Sequence, residues 1–142
     1  MTTIAYADGV IAYDSRMCRG NLIGDDDHDK RTTLKDHHFF LAGSVEDIQR
    51  FVHEVVDEKF TLVFDCCGLM VTPDGTLYAV GSNDNEHWRV RWDPAKPAAY
   101  GSGQDFAYSA MDFGKTAKQA VKYAMTRDSN TGGKVRTFKL TK

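Results

Sequence analysis

The residues of this 142-residue chain best suited to chemistry stand at its start, Thr2 and Thr3 in MTTIAYADGVIAYDSR. A threonine hydroxyl is a poor nucleophile unless a base sits beside it. When threonine is the first residue of a chain, its own α-amino group is that base. A free α-amine has a pKa of about 7.7–8.0, which leaves a useful neutral fraction near pH 7. This chemistry requires that Met1 be removed, since Thr2 has no free amine while Met1 is attached. It also requires a rigid strand under Thr2, a cation beside the hydroxyl and backbone N–H donors for an oxyanion.

Other reactive residue types are present but lack the spacing that makes a site. GDDDHDK at 24–30, the pair His37-His38 and the pair Cys66-Cys67 contain metal-ligand types. None has a zinc spacing, and the acidic loop lacks the EF-hand order of acids, glycine and closing glutamate. No metal site is expected, the acidic loop reads as solvated, and of the two histidines one ring is expected inside and one outside. There is no G-x-S-x-G nucleophile elbow. GSGQDF at 101–106 is too short for a phosphate cradle or a dinucleotide fingerprint and reads as a turn leading into a helix.

The elements that must position Thr2 are legible in outline. Ile4–Tyr6 and Val10–Tyr13 flank Asp8-Gly9, a strong short-range hairpin signal. RMCRGNLIGDDDHDKRTT reads as a strand or extended arm ending in an acidic loop, and HHFFLAGS as a short apolar strand. A helix is expected over 44–60, capped by Ser44 with Asp47 three residues on, its apolar stripe being Val45, Ile48, Phe51, Val52, Val55 and Val56. Strands follow at TLVF, CCGLMVT, TLYAVG (joined to the previous one through PDG) and WRVRW. Two helices are expected from Ser102 to Gly114 and from Thr116 onward, the second with Gln119 completing its cap. GGKVRTFKL closes the chain as a strand. This order indicates an α+β domain of antiparallel sheet packed with helices.

Composition sets bounds on function. Hydrophobic residues are 42% and charged residues 27%, ordinary for one globular domain spanning residues 1–142. With 18 basic against 20 acidic residues the net charge is −2, so neither nucleic acid nor an anionic membrane is an expected partner. No apolar run approaches the roughly 18 residues that span a bilayer. The start has no signal-peptide pattern, and three cysteines make no disulfide framework, so a cytoplasmic setting is expected.

Taken together, these motifs resemble a known family. TTIAYADGVIAYDSR is similar to the start of mature proteasome β-type subunits and of the HslV-type peptidase, the threonine branch of the N-terminal nucleophile (Ntn) hydrolases. FFLAGSVEDIQRF resembles the strand, Ala-Gly and first helix of that family. YGSGQDFAYSAM resembles its Gly-Ser-Gly run into the third helix. AVKYAMTRDSNTGGKVRTFKL resembles its helix ending in Asp, then a hydroxyl, Gly-Gly and a closing strand. The four motifs occur in the family's order and cover nearly the whole chain.

The resemblance implies an αββα four-layer sandwich with one helix of one face missing, since the chain passes from residue 60 into strands. It implies Thr2 as nucleophile after loss of Met1, Asp14 as the carboxylate anchoring a catalytic lysine, and Lys30 as that lysine, with Arg31 adjoining as the alternative. Gly43 matches the oxyanion glycine, and Ser102, Asp128 and Thr131 match groups around the amine and its water. Thr131 stands where the family usually has serine. Leu41 falls at the floor of the pocket for the residue before the cut, implying an apolar preference. The implied protein is a threonine peptidase without cofactor, acting on peptide or unfolded protein in a ring or helical homo-oligomer, with an ATPase unfoldase as possible partner. The alternatives are a silent ring or scaffold subunit and an Ntn amidase acting on a small molecule.

Overall fold

The computed structural model describes residues 2–59, 64–83 and 86–141. Met1 and most of the expected TLVF strand therefore lie outside the described residues. The first hairpin joins β1 (Thr3–Ala7) to β2 (Val10–Tyr13). Asp8 and Gly9 both have positive φ, 51° and 81°, as a two-residue hairpin turn requires. The arm that follows is itself a hairpin, β3 (Met17–Arg19) and β4 (Leu22–Asp25), and it leads through the acidic loop to β5 (Arg31–Leu34) and β6 (His37–Gly43).

Helix α1 (Val45–Asp57) is capped as expected, Ser44 accepting the Asp47 N–H. It ends three residues before the expected boundary because Glu58 turns into the left-handed region at φ 55°. Next come β7 (Cys66–Val71), β8 (Leu77–Ser82), β9 (His87–Arg91) and β10 (Ala98–Gly101). Strand β10 has no counterpart in the sequence reading, since Ala98-Ala99 carries neither alternation nor β-branched residues. Helices α2 (Gln104–Asp112) and α3 (Ala117–Met125) and strand β11 (Arg136–Lys139) complete the chain. The full Thr116–Gln119 capping box is present.

Two antiparallel sheets dominate, with strand orders β10-β1-β2-β11 and β5-β6-β7-β8-β9. Strand alternation sends the large residues of β1 and β2 to one face and the small ones to the other. Ile4, Tyr6, Ile11 and Tyr13 meet Phe40, Leu69, Val71 and Leu77 of the other sheet. Ala5, Ala12 and Ala99 face the helix side, where Ala107 and Ala110 of α2 and Ala117, Ala120 and Val121 of α3 close on them. A third cluster sets Phe51, Val52 and Val55 of α1 against Phe39, Leu41, Met70 and Val80. Among the described residues, α1 is the one helix packed in that third cluster. The fold is thus mixed, with antiparallel sheets and three helices.

The two histidines differ from expectation. Both are half-buried, His37 stacked near Phe39 and His38 4.8 Å from the Phe138 ring, because each finds an aromatic neighbour at the sheet margin. Cys66 and Cys67 point to opposite faces, one buried and one partly exposed.

Candidate active site

Thr2 directly before β1 and Thr3 at its first position lie in different surroundings. Thr2, 6% exposed, lies against a buried ion pair: Lys30 Nζ donates to Thr2 Oγ1 at 3.0 Å and to Asp14 Oδ1 at 2.9 Å. Asp14 is wholly buried at the end of β2. It also accepts the N–H groups of Thr3 (3.1 Å), Gly132 (3.0 Å) and Arg16 (3.3 Å). A carboxylate so surrounded is held in one position, and it holds the lysine in turn. Burial pushes the Lys30 ammonium below the ordinary lysine range, opposed by the charge and hydrogen bond of Asp14. Arg31, the neighbouring cation, is exposed on β5 and meets neither Thr2 nor Asp14 in any described hydrogen bond.

Thr3 belongs to a second network. Thr131 Oγ1 donates to Asp128 Oδ2 at 2.6 Å, and Ser102 Oγ donates to the same oxygen at 2.5 Å. Because Thr131 has given its single proton to Asp128, Thr3 Oγ1 is the donor in its 2.7 Å bond to Thr131 Oγ1. Burial pushes the Asp128 carboxyl up, but the bonds from Ser102, Thr131 and the Asn130 N–H together outweigh it and leave the group below the usual carboxylate range. Ser102 is therefore no helix cap. Gly103 occupies that position without a side-chain cap, and the Ser102 hydroxyl goes to Asp128 instead.

Close approach explains the glycines on either side of Ser102. A Cβ on Gly101, whose φ is 101°, would lie 1.8 Å from the Thr2 carbonyl oxygen, and one on Gly103 2.1 Å from Thr3 Oγ1. Both glycines leave room for the first strand. Gly43 ends β6 at φ 148°, where a Cβ would lie 2.7 Å from the Asp65 carbonyl oxygen.

A cleft of about 820 Å³ opens over Thr2 and is also lined by Lys30, Gly43, Leu41, Cys18 and Arg16. All four candidate residues for attack, charge, oxyanion and pocket floor (Thr2, Lys30, Gly43 and Leu41) thus share one opening, although Leu41 is mostly covered. Asp14 lies beneath it, and Ser102, Asp128 and Thr131 form the adjoining network. Sequence reasoning overlooked Thr3, Arg16 and Arg136. The signal for Thr3 was the doublet itself, but its partner is 128 residues away. Among the described residues no group of three or more His, Cys, Asp or Glu side chains is placed to hold a metal ion.

Two stacked antiparallel sheets, with Thr2 set on a buried lysine–aspartate pair directly before the central strand β1, define the structural class. Comparison then supplies particular members. BPH of Thiobacillus denitrificans matches with a TM-score of 0.68 at 19% identity, over 99% of this chain and 98% of that one. Its structure in complex with epoxomicin matches at 0.66 and 19%, over 99% of both chains. The eukaryotic HslV from Trypanosoma brucei matches at 0.66 and 16%, over 97% of this chain and 99% of that one. No family model and no curated protein sequence matches the chain. At these identities the likeness shows the fold, and the fold is that of HslV-type proteins.

Proposed function

We propose that this chain is a proteasome-like threonine peptidase in which Thr2, exposed by removal of Met1, is the nucleophile. The observation that carries the reading is the 3.0 Å bond from Lys30 Nζ to Thr2 Oγ1, made by an ammonium that Asp14 anchors from below. In the proposed reaction the neutral α-amine takes the Thr2 hydroxyl proton while Lys30 stabilises the developing alkoxide. Oγ1 attacks the scissile carbonyl carbon, and the negative charge on the carbonyl oxygen falls to the Gly43 N–H. The tetrahedral intermediate collapses to an ester as the protonated amine gives its proton to the leaving amino group. A water deprotonated by the same amine then hydrolyses the ester and restores the hydroxyl. Asp128, with Ser102 and Thr131, orients the amine and its water, and Leu41 favours an apolar residue before the cut.

In this reading the three apolar clusters are the interfaces of an αββα sandwich, thinned on the α1 side. The protein works as a cytoplasmic homo-oligomer, ring or helical, on peptide or unfolded protein, and an ATPase unfoldase is a candidate partner. A monomeric mass by light scattering across micromolar concentrations would sink the assembly. The test of mechanism compares cleavage of apolar fluorogenic peptides with intact mass. Activity is expected in proportion to chains that begin at Thr2. Equal activity from chains that keep Met1 would end the proposal, and no cleavage by fully processed chains would favour a silent ring subunit. Since BPH of Thiobacillus denitrificans has been solved in complex with epoxomicin, the same compound is a ligand to test for binding in the cleft over Thr2.

A further inference from the structure

The loop that delivers Lys30 is not held by the hydrophobic core. Residues 26, 27, 29 and 31 are exposed, His28 is half-buried and the Lys30 side chain runs inward, while β4 before the loop is exposed throughout. Polar tethers hold it instead, and they run in sequence along the end of β2. Tyr13 Oη donates to Asp29 Oδ1 at 3.2 Å, and the Ser15 carbonyl accepts the His28 N–H at 3.0 Å. Arg16 grips Asp26 through two nitrogens, at 2.8 and 3.1 Å. Further tethers come from β11 and the segment before it: the Lys134 N–H donates to the Asp26 carbonyl at 3.4 Å, and Arg136 reaches the Asp27 carbonyl at 3.5 Å. Arg136 donates through one nitrogen to Ser15 Oγ and through another to Asp27 Oδ1, the latter at 2.9 Å. Ser15 is itself fixed, donating to the Lys134 carbonyl at 2.5 Å.

We propose that Arg136 is a positioning residue, a staple that bridges Asp27 of the lysine loop to Ser15 beside Asp14 and so sets Lys30 against Thr2. The proposal deepens the peptidase reading and rests on it. Arg136 does not line the cleft, so it touches no substrate and acts through the loop. The consecutive aspartates that look like a solvated or metal-binding run are the loop's handles: Asp26 for Arg16 and Asp27 for Arg136. A guanidinium fork can reach both anchors at once, whereas a lysine offers a single nitrogen. Asp27 is 75% exposed, and a pair of that kind adds little to global stability, so its loss is expected to move the loop without unfolding the domain. Misplacement of a catalytic group by on the order of 1 Å costs about 100-fold in rate.

The test uses the processed full-length protein and the variants Arg136→Ala, Arg136→Lys and Asp27→Ala. Expected are a fall in kcat of at least roughly tenfold in each, KM within about twofold of wild type, and no rescue by lysine. A second readout is independent of cleavage: the titration of Lys30 followed by NMR at its ε-carbon. A loosened loop readmits water, so the Lys30 pKa rises toward the ordinary lysine value in the variants. Unchanged kcat and unchanged Lys30 titration in Asp27→Ala would overturn the proposal, as would full rescue by Arg136→Lys. If Arg136→Ala does not fold, Asp27→Ala decides. If the wild type cleaves no peptide, the peptidase reading fails and the Lys30 titration still judges the staple.

Discussion

Lys30 Nζ lies 2.9 Å from Asp14 Oδ1, and the pair joins an exposed loop to a wholly buried strand end. Neither partner is free to leave, because a buried charge without its counter-charge is costly. The first prediction follows from this contact. Lys30→Ala is expected to fold, since three backbone N–H groups still serve Asp14, and to lose cleavage by more than about 100-fold. Arg31→Ala is expected to cleave at near wild-type rate. Peptide hydrolysis with circular dichroism checks both, and a fully active Lys30→Ala would remove the lysine from the mechanism.

Thr2 and Thr3 differ in partners, so their variants should differ in kind. Thr2→Ala is expected to abolish cleavage, with the thermal midpoint almost unmoved. Thr2→Ser should retain part of the activity. Thr3→Ala leaves Thr131 Oγ1 without its donor inside the protein and should lower stability by about 1 kcal/mol while sparing the nucleophile. Urea titration beside peptide assays separates the cases. Matching losses of activity and stability in all three would contradict the assignment.

Asp128 offers a test by pH. Its carboxyl is pushed up by burial but held lower by Ser102, Thr131 and the Asn130 N–H, with a net depression. A carboxyl with a depressed folded-state pKa adds stability above its unfolded pKa, and that stability is lost as pH falls through the folded pKa. Ser102→Ala and Thr131→Val should each raise the Asp128 titration toward the ordinary range and move the onset of acid unfolding to higher pH. Carboxyl-carbon NMR follows the first effect and unfolding against pH the second. An Asp128 titration indifferent to both variants would remove the network.

The cysteines should react unequally. Burial pushes the Cys66 thiol up to about 12, so it carries almost no thiolate at pH 8, whereas Cys18 is half-exposed at the cleft. Iodoacetamide is expected to label Cys18 in the native protein and Cys66 only after unfolding. Peptide mapping by mass spectrometry reads this directly, and early labelling of Cys66 would show that the β7 face opens.

Much of the fold was legible because its signals are local. Asp8-Gly9 dictates a hairpin through the positive φ values of its turn, Ser44 and Thr116 announce helices through nearby N–H groups, and apolar residues at three- and four-residue steps mark the buried faces. Strand β10 escaped because alanine strands carry no propensity and are held by pairing with β1. Ser102 stands where a serine ordinarily bonds the first turn of a helix, and the arrival of Asp128, 26 residues on, redirects its hydroxyl.

The sequence by itself determined most of the elements, since periodicity and caps are properties of neighbours along the chain, and its motif order carried the resemblance that makes Thr2, Asp14, Gly43, Ser102, Asp128 and Thr131 candidates. The same resemblance points to Lys30 with Arg31 adjoining as its alternative, and the aspartates at 25–27 read as a solvated run. Tertiary structure separated them. The Lys30 ammonium reaches the buried Asp14 while Arg31 is exposed on β5, and Asp26 and Asp27 meet arginines from two distant segments. Which of two adjacent cations enters a site depends on where folding brings the opposite charge, and linear spacing does not carry that information.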